Sequence, residues 1–282
     1  MYQSLDFLST FVYNKFVCQY IYLLIKGGFF MLSSSEIRRQ ARANLQGKWS
    51  TAVLISLIYM AISFVISFAS NFVPFLGIAL VIVTVPLQYG LIYSFIKIYR
   101  NEEYSYGDLF TSAFNNFAKV WKVVGNQLLK LIVPIILVVV SLFVLIAGLV
   151  FTIIASNTSS DSSTIFTILA GVFLIAGYIG YIASLIYLFV KDLLYVLSFY
   201  VMHDNPNMTA KEIVEESERI MKGQRGKYFC LELSFIGWVL LAMLTFGIGL
   251  IFLMPYMQIS IAIFYEDRIG KLNESNAQNT NI

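Results

Sequence analysis

Residues 131–155 read LIVPIILVVVSLFVLIAGLVFTIIA, 25 positions without a single charge. A helix needs about 20 apolar residues to cross a hydrocarbon core of about 30 Å, and this run is long enough. A lipid-facing strand would alternate apolar with polar side chains, and nothing here alternates, so the run predicts a membrane helix and rejects a barrel. The rest of the chain has the same character. Of its 282 residues 59% are hydrophobic and 12% charged, with a mean hydropathy of +0.77, where a soluble domain is about half apolar and a quarter charged.

Five further runs of comparable length flank this one, and six spans are placed at roughly 50–73, 75–99, 124–155, 165–201, 228–246 and 249–266. The expected fold class is therefore all-α: a polytopic transmembrane helix bundle of about six spans in three hairpins. Orientation follows from the basic residues, because cytoplasmic loops retain Lys and Arg. From residue 31 on, all 17 fall in or beside 38–48, 97–130, 191–227 and 268–271. The connections at 71–74, 156–164 and 246–249 carry none, and Asp161 is their only charge. Both termini are expected to be cytoplasmic.

The net charge of +3 sits in those loops, so it points to anionic lipid rather than nucleic acid. Of the two cysteines, Cys18 lies in the N-terminal extension and Cys230 at a membrane edge, which offers neither a disulfide framework nor a CxxC metal site.

Residues 1–30 lack both a basic n-region and a small-residue cleavage site, so they do not read as a signal peptide. Lys15 and Lys26 interrupt them as a span. Lys26-Gly27-Gly28 can be encoded as a ribosome-binding sequence, with Phe29-Phe30 as its spacer, and the start is expected at Met31. Residues 1–30 are then an untranslated or disordered extension, 31–268 a single membrane domain, and 269–282 a disordered polar tail.

Behind Met31 the chain opens with Ser33 and Glu36 in the spacing of a capping box. Ile37, Ala41 and Leu45 follow on one helical face, with Arg38, Arg39, Arg42 and Lys48 on the others and Trp49 thirteen residues after the acid. The pattern returns with Ser105 and Asp108 as the box, Leu109, Ala113 and Phe117 as the stripe, Lys119 and Lys122 as the cations, and Trp121 thirteen after Asp108. It returns again with Thr209 and Glu212, then Ile213, Ser217 and Met221, then Lys222 and Arg225. Each copy precedes a pair of spans, which suggests three repeats at about 33–99, 105–201 and 209–266. An amphipathic helix with a basic face can lie in the headgroup layer with its stripe in the acyl boundary. The three stripes are thus expected to form an interfacial docking face, and the eight cations to contact anionic lipid; a plain bundle-capping role is the other reading.

The stretches SSEIRRQARANLQGKWSTAVL, FYVMHDNPNMTAKEIVEESERIMKGQRGKYF, LELSFIGWVLLAMLTFGIG and LMPYMQISIAIFYE resemble the bacterial integral membrane proteins of domain-of-unknown-function family 975, over essentially residues 31–266. The resemblance implies a multi-pass protein of the bacterial plasma membrane with no established activity, and it carries no catalytic residues over. Glu232 departs from the uncharged residue expected there.

Few residues could carry chemistry. Ionisable groups at membrane depth are functional candidates because their burial is costly, and Glu232 is the one that qualifies, with Lys227 close enough to pair. Lys191 and Asp192 are expected at the cytoplasmic edge. His203, the only histidine, lacks the partners of a metal site, and Asp204-Asn205-Pro206 reads as the break between span and surface helix. Pro86, Pro134 and Pro255 are expected to kink their spans, with Gln88, Gln258 and Glu232 as candidates for a polar cavity between hairpins. In the fourth span Ala176, Gly180 and Ser184, widened by Gly177, form a close-packing face whose partner is left open.

No nucleophile and base pair, metal site or cofactor motif is present in the sequence. The expected function is a non-enzymatic membrane-organising or partner-docking module, acting on the bilayer, another membrane protein or a second copy. A small transporter with a site between repeat hairpins is the alternative.

Overall fold

The computed structural model describes residues 32–70, 72, 76–158 and 162–280, and among these there are helices and no strand. In chain order they are α1 (Ser34–Leu45), α2 (Trp49–Ser70), α3 (Leu76–Arg100), α4 (Asp108–Asn115), α5 (Phe117–Ser156), α6 (Ser162–Asp192), α7 (Ser198–Asp204), α8 (Ala210–Met221), α9 (Arg225–Leu233), α10 (Ile236–Leu244) and α11 (Ile248–Thr280). Six segments are long and apolar enough to cross a membrane: Trp49–Ala69, Val81–Arg100, Phe117–Ser156, Ser163–Asp192, Arg225–Leu244 and Ile248–Gly270. The protein is an all-α, multi-pass membrane bundle.

Three boundaries differ from expectation. The fourth span ends at Asp192 instead of continuing to 201. There the amides of Leu194 and Tyr195 reach back three residues, to Lys191 and Asp192, and the tightened turn breaks the helix before α7. The third helix begins at Phe117, because the Asn116 amide bonds the Ser112 and Phe114 carbonyls and closes α4. Finally, α11 stays helical to Thr280, through the stretch expected to be a disordered tail; no proline follows Gly270 to stop it. The reading of residues 1–30 lies outside the described residues.

The chain forms two compact units. The second, Val124–Val196, is one long hairpin of α5 and α6. Its helices approach closely where Gly148 faces Leu174 and Gly177 faces Leu145, a reciprocal fit of a bare backbone against a branched side chain. The hydroxyls of Ser141 and Ser184 sit 3.4 Å apart, and Phe151 packs on Phe166 and Phe173. The small-residue face therefore pairs with its own hairpin partner. Gly177 carries the contact, whereas Ala176 is exposed. Around the outside Leu129, Phe143, Ile153 and Ile168 are exposed, as a lipid-facing surface requires.

The first unit holds everything up to Val123 and from Leu197 on. At its centre are α3, α7 and α11, which touch one another through Tyr89 on Phe199, Tyr93 on His203 and Tyr200 on Tyr265. Each of the three receives one surface helix. Helix α4 packs on α3, α8 on α7, and α1 on α11. Each surface helix thus leans on the helix that precedes it across the connecting loop, α4 on α3 and α8 on α7, and α1 closes the circle on α11.

Repeats one and three agree in detail. Both surface helices have 12 residues, and Ser33 and Thr209 accept from the amides of Glu36 and Glu212. Both end in the same turn: Gln46 (φ −59°, ψ 129°) then Gly47 (φ 78°), and Lys222 (φ −60°, ψ 123°) then Gly223 (φ 76°). This is a type II turn, whose third position favours glycine, and it is closed by Lys48 N–H to Leu45 O and Gln224 N–H to Met221 O, each 3.0 Å. Repeat two departs. The Asp108 carboxylate accepts from the Ser105 amide, but the Ser105 hydroxyl takes the Gly107 amide, so α4 starts late and is only 8 residues long.

Candidate functional site

The stripes are where the structure corrects the sequence most plainly. Ile37, Ala41, Leu45, Leu109, Ala113, Ile213, Ser217 and Met221 are at most 2% exposed. Their partners are α11, α3 and α7, so they are neither in lipid nor free to dock. Burying Ile37, Leu45, Ile213 and Met221 contributes roughly 2 kcal/mol each. Phe117 is half-buried and belongs to the first turn of α5, not to α4.

The cations are also redistributed. The Lys48 ammonium donates to Ile98 O at 2.6 Å, and the Asn44 amide to Tyr99 O at 3.0 Å, so the turn after α1 caps the end of α3. Burial holds the Lys48 ammonium below its ordinary value. Lys119 donates to Pro206 O at 2.6 Å, beyond the end of α7. Arg38 reaches Ser34 O and Ser234 O, both at 3.4 Å, and Arg39 forms a two-pronged pair with Glu36 at 2.7 and 2.8 Å. Arg42, Lys122 and Lys222 are exposed, while Arg225 is half-buried. Lys48, Lys119 and Arg38 thus serve the fold, a correction to their reading as lipid contacts.

All three prolines lie inside continuous helices and are buried, so none interrupts its span. The indole of Trp121 donates to Ile82 O at 3.2 Å. Pro86, four residues on from Ile82, has no amide to offer that carbonyl. Of the expected cavity residues, Gln88 is exposed and joins nothing between Pro86 and Pro255. Gln258 faces the fully buried Tyr200, whose hydroxyl lies 3.5 Å from its Oε1. Glu232 is hydrogen-bonded by Tyr228, one turn earlier. The structure therefore brings Gln258 to Tyr200 and leaves Gln88 out.

Beyond Tyr200 lies a cluster that the sequence did not reveal. Arg100, at the end of α3, forms a bidentate pair with Asp204, the last residue of α7, at 2.7 and 2.9 Å. It also bonds Glu266 of α11 at 2.6 and 2.8 Å. The Tyr265 hydroxyl completes the group with a 3.0 Å bond to Asp204. The three charged side chains are 20–32% exposed, so the cluster sits at the rim where α3 and α7 end against the side of α11. Nearby Lys97 pairs with Asp108 at 2.9 Å and ties α3 to α4. Burial pulls the Asp108 carboxyl upward, but the Ser105 amide and the Lys97 ammonium outweigh it and hold the group below the usual range. One cation against two carboxylates anchors helices strongly and offers no nucleophile or acid–base pair. Among the described residues no cluster of His, Cys, Asp and Glu could hold a metal ion.

The chain matches the family described as "Protein of unknown function (DUF975)" over residues 31–272 and belongs to that family. No curated protein and no solved structure matches it.

Proposed function

We propose that this member of an uncharacterised membrane family is a non-enzymatic, membrane-organising platform that docks a partner on the polar outer faces of its surface helices. The observation that carries this reading is the burial of all three apolar stripes within the first unit. That burial fixes α1, α4 and α8 on α11, α3 and α7 and turns their charged residues outward. On α1 these are Arg39 and Arg42, and on α8 Lys211, Glu215 and Arg219. The basic loops orient this face and both termini toward the cytoplasm of a bacterial plasma membrane. The exposed Arg42, Lys122 and Lys222 lie suitably for anionic headgroups.

In-cell crosslinking, gentle extraction of the tagged protein and mass spectrometry test the reading. A near-stoichiometric partner is expected, and R39E/R42E should lose it while the melting midpoint holds. A partner retained by that variant, or only the protein itself, overturns the docking reading.

A small transporter is the second reading, favoured by Glu232 and by the pairing of Tyr200 with Gln258. It predicts that E232Q abolishes a proton-linked solute flux that wild-type vesicles show.

A further inference from the structure

Arg100, Asp204 and Glu266 come from positions that correspond in the three repeats. Each lies six residues after a fully buried serine, Ser94, Ser198 or Ser260. Each directly follows a ring residue, Tyr99, His203 or Tyr265, and directly precedes Asn101, Asn205 or Asp267. The segments are SFIKIYRN, SFYVMHDN and SIAIFYED. Each belongs to the central helix of its repeat, and that helix is the one that receives a surface helix from the next repeat in the circle.

Three corresponding positions in three mutually touching helices meet at Arg100. Three like charges there would drive the helices apart, and two cations with one anion, or the reverse, give each minority charge two partners. The chain uses one arginine and two acids, and Arg100 reaches both at once: Nη1 bonds Asp204, Nε bonds Glu266, and Nη2 lies between them, 2.9 Å from Asp204 Oδ2 and 2.6 Å from Glu266 Oε1.

We infer that these three residues are a single repeated position and form a three-way clasp that shuts the ring of repeats, so that the cation can occupy more than one of the three places. This goes beyond the docking reading and does not depend on it, since it concerns what keeps the ring closed. The bidentate bond to Asp204 and the Tyr265 hydroxyl make the three places chemically similar but not identical, and the native arrangement is the best of them.

The full-length protein in mild detergent tests the clasp by moving the charge. R100D puts three carboxylates together and should lower the thermal midpoint by about 5 °C or more. R100D/D204R restores one cation and two acids in a permuted order, as does R100E/E266R, and at least one of these should recover half or more of the loss. If neither permuted variant melts above R100D, the clasp is not interchangeable and the inference fails. Should R100D not fold, R100Q with hydrogen exchange decides. A clasp predicts faster exchange around Arg100, Asp204 and Glu266 together, and a rise confined to α3 overturns it.

Discussion

The Trp121 indole N–H points at the Ile82 carbonyl from 3.2 Å. Pro86 leaves that carbonyl without its helical partner, so a side chain from α5 completes the ladder of α3. W121F should therefore cost about 1 kcal/mol, the net worth of one hydrogen bond, plus whatever packing the smaller ring loses. P86A returns an amide to Ile82. In that background the cost of W121F should fall by about 1 kcal/mol, a coupling readable in a double-mutant cycle of denaturant midpoints. Additive costs would show that the two residues act separately.

Close approach decides the second expectation. A Cβ on Gly90 would run into the Leu109 carbonyl and come within 3.3 Å of Ala113 Cβ, where α4 lies against α3. G90A should destabilise by roughly 1–3 kcal/mol, as overpacking does. Gly125, on α5, has nothing within 4 Å of its would-be Cβ. G125A should be neutral or stabilising by up to about 1 kcal/mol, because alanine is the better helix former. Thermal midpoints of the two variants, measured side by side, separate packing from propensity.

The third expectation concerns acid. His203 lies under the Tyr93 ring at 4.8 Å, and its buried Nδ1 has no hydrogen-bond partner. Burial lowers its pKa; Asp204 and Glu102 oppose the shift, while Arg100 and Lys97 add to it. A histidine with a folded value below its unfolded one takes up its proton more readily when unfolded. Its contribution to stability is thus complete above about pH 6.5 and is lost as pH falls through the lowered value. The thermal midpoint should be flat from pH 8 to about 6.5 and decline below, and H203Q should flatten the upper part of that decline. A wild-type curve unaffected by H203Q would assign the acid sensitivity to carboxylates.

The spans were legible because their signal is local: a run such as 131–155 has no soluble use. The capping box of repeat three and the N-cap of repeat one were legible for the same reason, since Thr209 with Glu212 and Ser33 with Glu36 act across three residues, although in repeat one the Glu36 carboxylate turns to Arg39 and Gln40 and leaves the box half made. What covers the stripes was not. A face repeating every fourth residue reads the same whether its apolar neighbour is lipid or another helix. The clue lay in residue size: Ala41, Ala113 and Ser217 are too small to anchor a helix in a bilayer surface but let two helix backbones approach. The Arg100 cluster was invisible for another reason. Its partners are 104 and 166 residues away, and the alignment that would have paired them, serine to serine across the three central helices, requires knowing that those helices meet. Gln88 and Gln258 looked alike beside their prolines, yet rotation about each helix axis turned one outward and the other toward Tyr200.

The circular packing also sets an order of assembly. The ribosome releases α1 about 200 residues before α11 begins, yet α1, whose Ile37, Ala41 and Leu45 are buried, packs chiefly on α11. Until the last hairpin is inserted, the earliest helix to emerge keeps a bare apolar edge at the membrane surface, and bringing the two together closes a loop that spans most of the chain. Helices α4 and α8 meet their partners as soon as they are made, because α3 and α7 precede them. A chain stopped before α11 would hold five of its six spans and still leave α1 looking for a place to rest.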